Sequence, residues 1–212
     1  MTSKAIIVTG GSGPSGPVDF PLHDKDLVIC ADSGYELARA LGLQVDLWVG
    51  DFDSTRVPID EAGGTHIMES PPDKDLSDTE LALIEARKAG YREWVLLGGG
   101  GRRIDHLINT WALFSTYGPP LVWQTEDETM HLVKDERTFA GLGEGQTVSF
   151  LPALIDGWTS VTAGELVWPL ERRRIDNTSI SLSNRCIEAT LTVRINGGCG
   201  ALVCFPVAPI RL

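Results

Sequence analysis

The segment Val49-Gly50-Asp51-Phe52-Asp53-Ser54 ends an apolar run in glycine and then places two carboxylates two residues apart. In an extended segment, side chains i and i+2 point to one side. Asp51 and Asp53 are therefore expected to face the same way and to repel each other unless a cation lies between them. Mg²⁺ suits that place, because it takes one or two carboxylates together with phosphate oxygens. A solvated acidic turn would use the same residues without a metal. A second acidic group, Asp73-Lys74-Asp75-Leu76-Ser77-Asp78, precedes an amphipathic run. Asp75 and Asp78 there either complement a helix N-terminus or join Asp51 and Asp53 at a shared metal site. A third group is Gly98-Gly99-Gly100-Gly101-Arg102-Arg103-Ile104-Asp105-His106. Its glycines would let backbone amides approach a ligand. Arg103 can hold phosphate by a two-pronged contact, and Asp105 adds a carboxylate. The plainer alternative is a loose loop with a surface arginine pair.

Other patterns are excluded or set aside. Gly11-Ser12-Gly13-Pro14-Ser15-Gly16 has dinucleotide-loop spacing. Pro14 and Pro17 remove amide donors and oppose a helix start, so a flexible loop at a strand end is expected, passing close to a nucleotide at most. There is no phosphate-loop G-x-x-x-x-G-K-[ST] and no G-x-S-x-G. Cys30, Cys186, Cys199 and Cys204 form no Cys-x-x-Cys pair, so reduced, buried thiols are expected. His23, His66, His106 and His131 show no metal spacing.

These groups need elements to position them. Ala5–Val8, Leu27–Ala31, Leu47–Val49 and Trp94–Leu97 read as short buried strands. Between and after them, Glu36–Leu41, Ser77–Ala89 and Asp105–Phe114 read as helices, the second opening on a capping box at Ser77 and Glu80. This alternation predicts an α/β fold with a mostly parallel sheet and flanking helices. Tyr117-Gly118-Pro119-Pro120 punctuates the chain, giving expected domains at 1–118 and 121–212. Beyond it, strand-like runs at 121–124, 130–133, 146–151, 160–163, 179–182, 187–193 and 201–205 predict a C-terminal antiparallel β-sandwich or barrel.

The chain has 212 residues and a formal net charge of −11. Residues 1–120 carry 18 acids against 10 Lys and Arg, a net −8, and the remainder 11 against 8, a net −3. Such a surface repels phosphate backbones, so nucleic acid is not expected as a partner. No apolar run approaches a membrane span, and Met1–Val8 lacks a cleavage-site pattern. A cytoplasmic location is expected.

Taken in order, Ala31-Asp32-Ser33-Gly34, Gly50 to Ser54, Asp75 to Leu83, and Gly101 to His106 with Asn109 resemble the thiamine pyrophosphokinase family. Gly164 to Leu170 and Ser183-Asn184 extend the resemblance into the back half. It implies a diphosphate transfer from ATP to thiamine, with Mg²⁺ held by Asp51, Asp53, Asp75 and Asp105. Asp78 would lie close by and Asp32 in the same catalytic cleft. Arg103, His106 and Asn109 would face ATP. Trp168 would stack on thiamine, an aromatic face suiting its cationic ring, with Ser183 and Asn184 lining the pocket. Read without the resemblance, Trp168 is core or interface packing. The family also implies a homodimer with active sites at the subunit interface, and an α/β domain followed by a β-sandwich. Two positions depart from its pattern: Arg102 stands where a second glycine is expected, and Arg185 where an acid is common. The rival readings are a pyrophosphokinase for another small alcohol such as a pterin, and a non-catalytic nucleotide- or small-ligand-binding module.

Overall fold

The computed structural model describes residues 3–71, 75–101 and 103–207. The chain divides into two compact units. The first comprises residues 1–110 and 120–126, and the second 111–119 and 127–212.

In the first unit, six strands run parallel: β1 (Ala5–Val8), β2 (Leu27–Ala31), β3 (Leu47–Gly50), β4 (His66–Glu69), β5 (Trp94–Leu97) and β6 (Val122–Gln124). Their order is β6-β5-β1-β2-β3-β4. The near-continuous apolar sequences of β1, β2 and β5 follow from cover on both faces. On one face Ile6, Val8, Cys30 and Val95 pack with Tyr35 and Ala38 of α1 (Gly34–Ala40). On the other, Ile7, Ile29, Val49 and Leu96 are fully buried. Helix α2 (Asp78–Lys88) packs against β1, β2 and β3, burying Ala82, Leu83 and Ala86. Ser77 caps it, its Oγ accepting the Glu80 N–H at 3.3 Å, as its spacing predicts. Helix α3 (Ile104–Tyr117) follows the glycine loop. Helix α1 begins at Gly34, two residues before the expected start, and Gly34 lies so close to the Val8 carbonyl that a side chain would not fit. Strand β4 escapes sequence reading: it is an edge strand, His66-Ile67-Met68-Glu69, with no buried residue and hence no apolar run.

The second unit is an antiparallel sandwich. One sheet orders β12 (Ser181–Arg185), β9 (Thr147–Pro152), β14 (Ala201–Pro206) and β7 (Glu128–Val133). The other orders β11 (Leu170–Asp176), β10 (Trp158–Ala163), β13 (Thr190–Gly198) and β8 (Glu136–Ala140). Val148, Phe150 and Val203 of the first meet Val161, Ile175, Leu191 and Val193 of the second in one core. Strands β8 and β11 were not expected. They are the two edges of their sheet, and Glu136-Arg137-Thr138 and Glu171-Arg172-Arg173-Arg174 are exposed, so charge masks them in the sequence while protecting the edges. All four cysteines are free thiols, three buried and Cys199 half-buried. No helix among the described residues is long and apolar enough to cross a membrane.

Candidate active site

The loops that follow β1, β2, β3 and β5 all leave the carboxyl end of the parallel sheet, where open α/β sheets bind ligands. After β2, Asp32 adopts a left-handed backbone, φ 45°, which Asp tolerates better than most residues. It is pinned there. Its N–H donates to the Val49 carbonyl at 2.8 Å, and its carbonyl accepts from Trp48 Nε1 at 2.8 Å. After β3, the Asp51-Phe52-Asp53 segment is not extended, contrary to the expectation from its spacing. Phe52 is left-handed, φ 62°, because its ring turns back to meet Trp48 edge-on at 4.9 Å. The Asp53 N–H then donates to Asp51 Oδ1 at 3.3 Å, and Ser54 Oγ donates to Asp53 Oδ1 at 2.7 Å.

This turn gathers the carboxylates more tightly than an extended strand would. One oxygen from each of Asp32, Asp51 and Asp53 lies within 4.8 Å of the others. Around Mg²⁺, with bonds of about 2.1 Å, ligand oxygens sit about 3–4 Å apart, so small side-chain rotations close the cluster on such an ion. Asp32 Oδ1 is buried without a hydrogen-bond partner. Burial pushes the Asp32 carboxyl above its ordinary range, and the nearby charges of Asp78 and Asp53 add to the effect. A half-buried carboxylate with one unpartnered oxygen and like charges beside it is what a hard cation relieves, so these residues fit the metal.

Asp32, expected in the cleft without a metal role, thus completes the trio. Asp75 is exposed, just before the capping Ser77, and does not join the trio. Asp105 does not join it either. Arg103 Nε and Nη2 donate to its two oxygens at 2.9 and 2.6 Å, and this contact holds Asp105 well below the usual carboxylate range. The pair is exposed. Asp78, the first residue of α2, lines a cavity of about 580 Å³ together with Asp32, Arg103, His106 and Asn109. Asn109 Nδ2 reaches Ser77 Oγ at 3.4 Å.

The glycine loop serves a different purpose from the one expected. Three of its four glycine amides are already engaged: Gly98 N–H donates to the Gln124 carbonyl at 3.0 Å, Gly99 to Gly10 at 2.9 Å and Gly100 to Ser12 at 3.1 Å. The glycines allow two loops to touch. Gly98, φ 91°, sits against the Thr9 carbonyl with no room for a Cβ. Gly11-Ser12 therefore forms part of the cavity wall without a helix beginning there. The Gly-rich run after β1 was the available signal for Ser12. Thr9, bonded to Thr79 at 2.6 Å, offered none. Arg102 lies outside the described residues.

The back-half residues sit in the second unit. Trp168 is 57% exposed, with the Arg185 guanidinium 5.5 Å from its ring centre. Asn184 is 2% exposed. Its Oδ1 accepts the Trp168 N–H at 3.2 Å, and its Nδ2 donates to the Trp168 carbonyl at 2.7 Å. Asn184, expected to line a pocket, turns its amide onto the backbone of Trp168 instead. Ser183 is exposed and left-handed, φ 54°.

Residues 21–118 match the family described as thiamin pyrophosphokinase, catalytic domain. No curated protein sequence matches the chain significantly. Among solved structures, the thiamin pyrophosphokinase of Geobacillus thermodenitrificans superposes with a TM-score of 0.70 at 21% identity, covering 98% of both chains. That of Bacillus subtilis gives 0.69 at 20% identity over 98% of this chain and all of its own. The yeast enzyme gives 0.63 at 14% identity, over 96% of this chain and 86% of its own. These likenesses establish a shared fold. The family match thus covers residues 21–118, the stretch that carries Asp32, Asp51, Asp53, Asp78, Arg103, His106 and Asn109.

Proposed function

We propose that this protein is a thiamine diphosphokinase that transfers a diphosphoryl group from ATP to the primary hydroxyl of thiamine, giving thiamine diphosphate and AMP. The observation that carries the mechanism is the convergence of Asp32, Asp51 and Asp53 at the carboxyl end of the sheet, Asp32 also lining the cavity with Arg103 and His106. Mg²⁺ held by the three carboxylates would neutralise phosphate charge and draw electron density from the β-phosphorus. The hydroxyl oxygen attacks that phosphorus, the bond to the α-phosphate's bridging oxygen breaks, and AMP leaves. Asp78, on the cavity wall, accepts the hydroxyl proton. Arg103 keeps N–H donors beyond those that Asp105 takes and offers them to the phosphates, while His106 and Asn109 orient the nucleotide. The work is positioning and charge neutralisation rather than covalent catalysis.

Trp168 supplies an exposed indole face for the thiazolium, and Ser183 stands beside it. The enzyme acts as a homodimer with active sites at the subunit interface; the exposed apolar side chains Val167, Trp168, Leu182 and Ile187 support this. It works in the cytoplasm. The experiment is direct: incubate protein, ATP and Mg²⁺ with thiamine or with a hydroxymethyl pterin, and resolve the nucleotides. AMP formed only with thiamine is expected. AMP with the pterin alone reassigns the substrate, ADP indicates a different kinase class, and no turnover with either leaves a binding module.

A further inference from the structure

Trp168 lies on a short segment that pairs antiparallel with the chain beyond β12. Leu166 bridges Cys186, the Val167 N–H donates to the Arg185 carbonyl at 2.9 Å, and the Ile187 N–H donates to that of Glu165 at 3.1 Å. The next rung of this ladder would pair Trp168 with backbone, but a side chain takes the place. The Asn184 amide exchanges two hydrogen bonds with the N–H and carbonyl of Trp168, at 3.2 and 2.7 Å, as a peptide group would. The same Oδ1 also accepts the Arg185 N–H at 2.9 Å. One buried amide thus fixes the backbone of both members of the indole–guanidinium pair.

The local fold is arranged to make this possible. Between Ser181 and Asn184, β12 carries a bulge against β9, with Ser183 left-handed and its N–H on Ser149 Oγ at 3.0 Å. An extra residue reverses the in–out alternation of a strand. It sends Leu182 and Ser183 outward and Asn184 inward. Arg185 follows, exposed, and places its cation over the indole.

We propose that Asn184 is a positioning residue that presents Trp168 to the stacking ligand, and that Arg185, held by the same amide, sets how much positive charge this platform accepts. The proposal rests on the reading of Trp168 as the stacking surface. A guanidinium at the ring is held by the same π-system that would hold a thiazolium, and it repels that cation. A cationic ligand therefore binds against Arg185, whereas a neutral ligand of the same shape does not feel its charge.

The test measures Kd by calorimetry for thiamine and for its neutral isostere, in which carbon replaces the charged ring nitrogen. The proteins are wild type, Arg185→Gln, Asn184→Ala and Trp168→Ala. Arg185→Gln is expected to tighten thiamine about two- to fivefold and to leave the isostere unchanged. Asn184→Ala is expected to weaken both ligands by an equal factor of about ten or more, raising KM for thiamine with kcat at saturation retained. Asn184→Asp keeps the acceptor for both amides but turns a carboxylate oxygen onto the Trp168 carbonyl, so it should weaken the isostere at least as much; it replaces the alanine variant if that does not fold. Equal shifts for both ligands in Arg185→Gln, or no tightening of thiamine, overturns the role of Arg185. Unchanged Kd values in Asn184→Ala and Asn184→Asp overturn that of Asn184. Unchanged thiamine binding in Trp168→Ala defeats the stacking reading itself, which separates the two failures.

Discussion

Replacing Asp32 with Asn should make the metal-free protein more stable and deprive it of most of its response to Mg²⁺. The substitution keeps the shape, and Asn accepts the left-handed backbone at φ 45° as readily as Asp. It removes one charge from a trio whose oxygens lie within 4.8 Å of one another. At that distance each pair repels by about 0.9 kcal/mol if fully water-screened and about 3.5 kcal/mol at an effective dielectric of 20. Asp53 is exposed and Asp32 and Asp51 are half-buried, so the screened limit is the appropriate floor. Losing two pairs then stabilises by roughly 2 kcal/mol, or about 4–8 °C in Tm for a chain of this size. The pH dependence has a definite sign. Because the Asp32 carboxyl is raised in the folded state, the folded protein binds more protons than the unfolded chain. In EDTA, the Asp32 contribution to stability is therefore fully present below the ordinary carboxylate range and is lost as pH rises through the raised Asp32 value, whereas the lowered carboxyls of Asp26, Asp105 and Asp176 slope the other way. The Asp32→Asn substitution removes the Asp32 contribution to the slope. The assay is thermal melting across pH in EDTA and in millimolar Mg²⁺, where a cation at ten times its Kd adds about 1.4 kcal/mol to wild type. A lower Tm for Asp32→Asn in EDTA, or an undiminished Mg²⁺ shift, would refute the reasoning.

Two further outcomes follow from other contacts. Asp53→Asn should lower kcat by about two orders of magnitude or more with the far-ultraviolet circular dichroism unchanged; a rate near wild type would remove Asp53 from the metal site. Lys4→Met should destabilise the protein by about 3 kcal/mol in urea unfolding, since Lys4 Nζ meets Asp26 at 2.5 Å with both side chains at most 7% exposed. The loss would leave the carboxylate without its counter-charge, held only by the Lys4 and His23 amides, and a change under about 1 kcal/mol would show that those amides suffice.

The sequence shows the parallel sheet clearly because β1, β2 and β5 are apolar throughout, and a run buried on both faces has no competing pattern. It shows α2 because Ser77 and Glu80 mark its start. Strands β4, β8 and β11 are hidden by the same logic: edge strands bury few side chains, and their charges read as loops. The site was legible as chemistry but not as geometry. Asp51 and Asp53 stand out by spacing, yet what gathers them is Phe52, whose ring anchors on Trp48 and reverses the backbone. No spacing rule reveals that the glycines after β5 bring loops together and spend three of their amides in doing so. Nor could Asp105 be seen to have a partner two residues away in Arg103, which competes with any metal for its oxygens. Asn184 is the sharpest case. Its type suits a ligand contact, and only its burial and its two bonds to Trp168 reveal a bracket.

The most direct probe of the proposed metal centre is Mn²⁺ titration followed by electron paramagnetic resonance, on wild type and on Asp32→Asn, Asp51→Asn, Asp53→Asn and Asp105→Asn. Affinity should drop at least tenfold in each of the first three variants and stay near wild type in the fourth, whose carboxylate Arg103 already holds. Mn²⁺ binding that survives loss of the first three carboxylates in turn, or that depends on Asp105 alone, would contradict the assignment of the cation to the ends of β2 and β3.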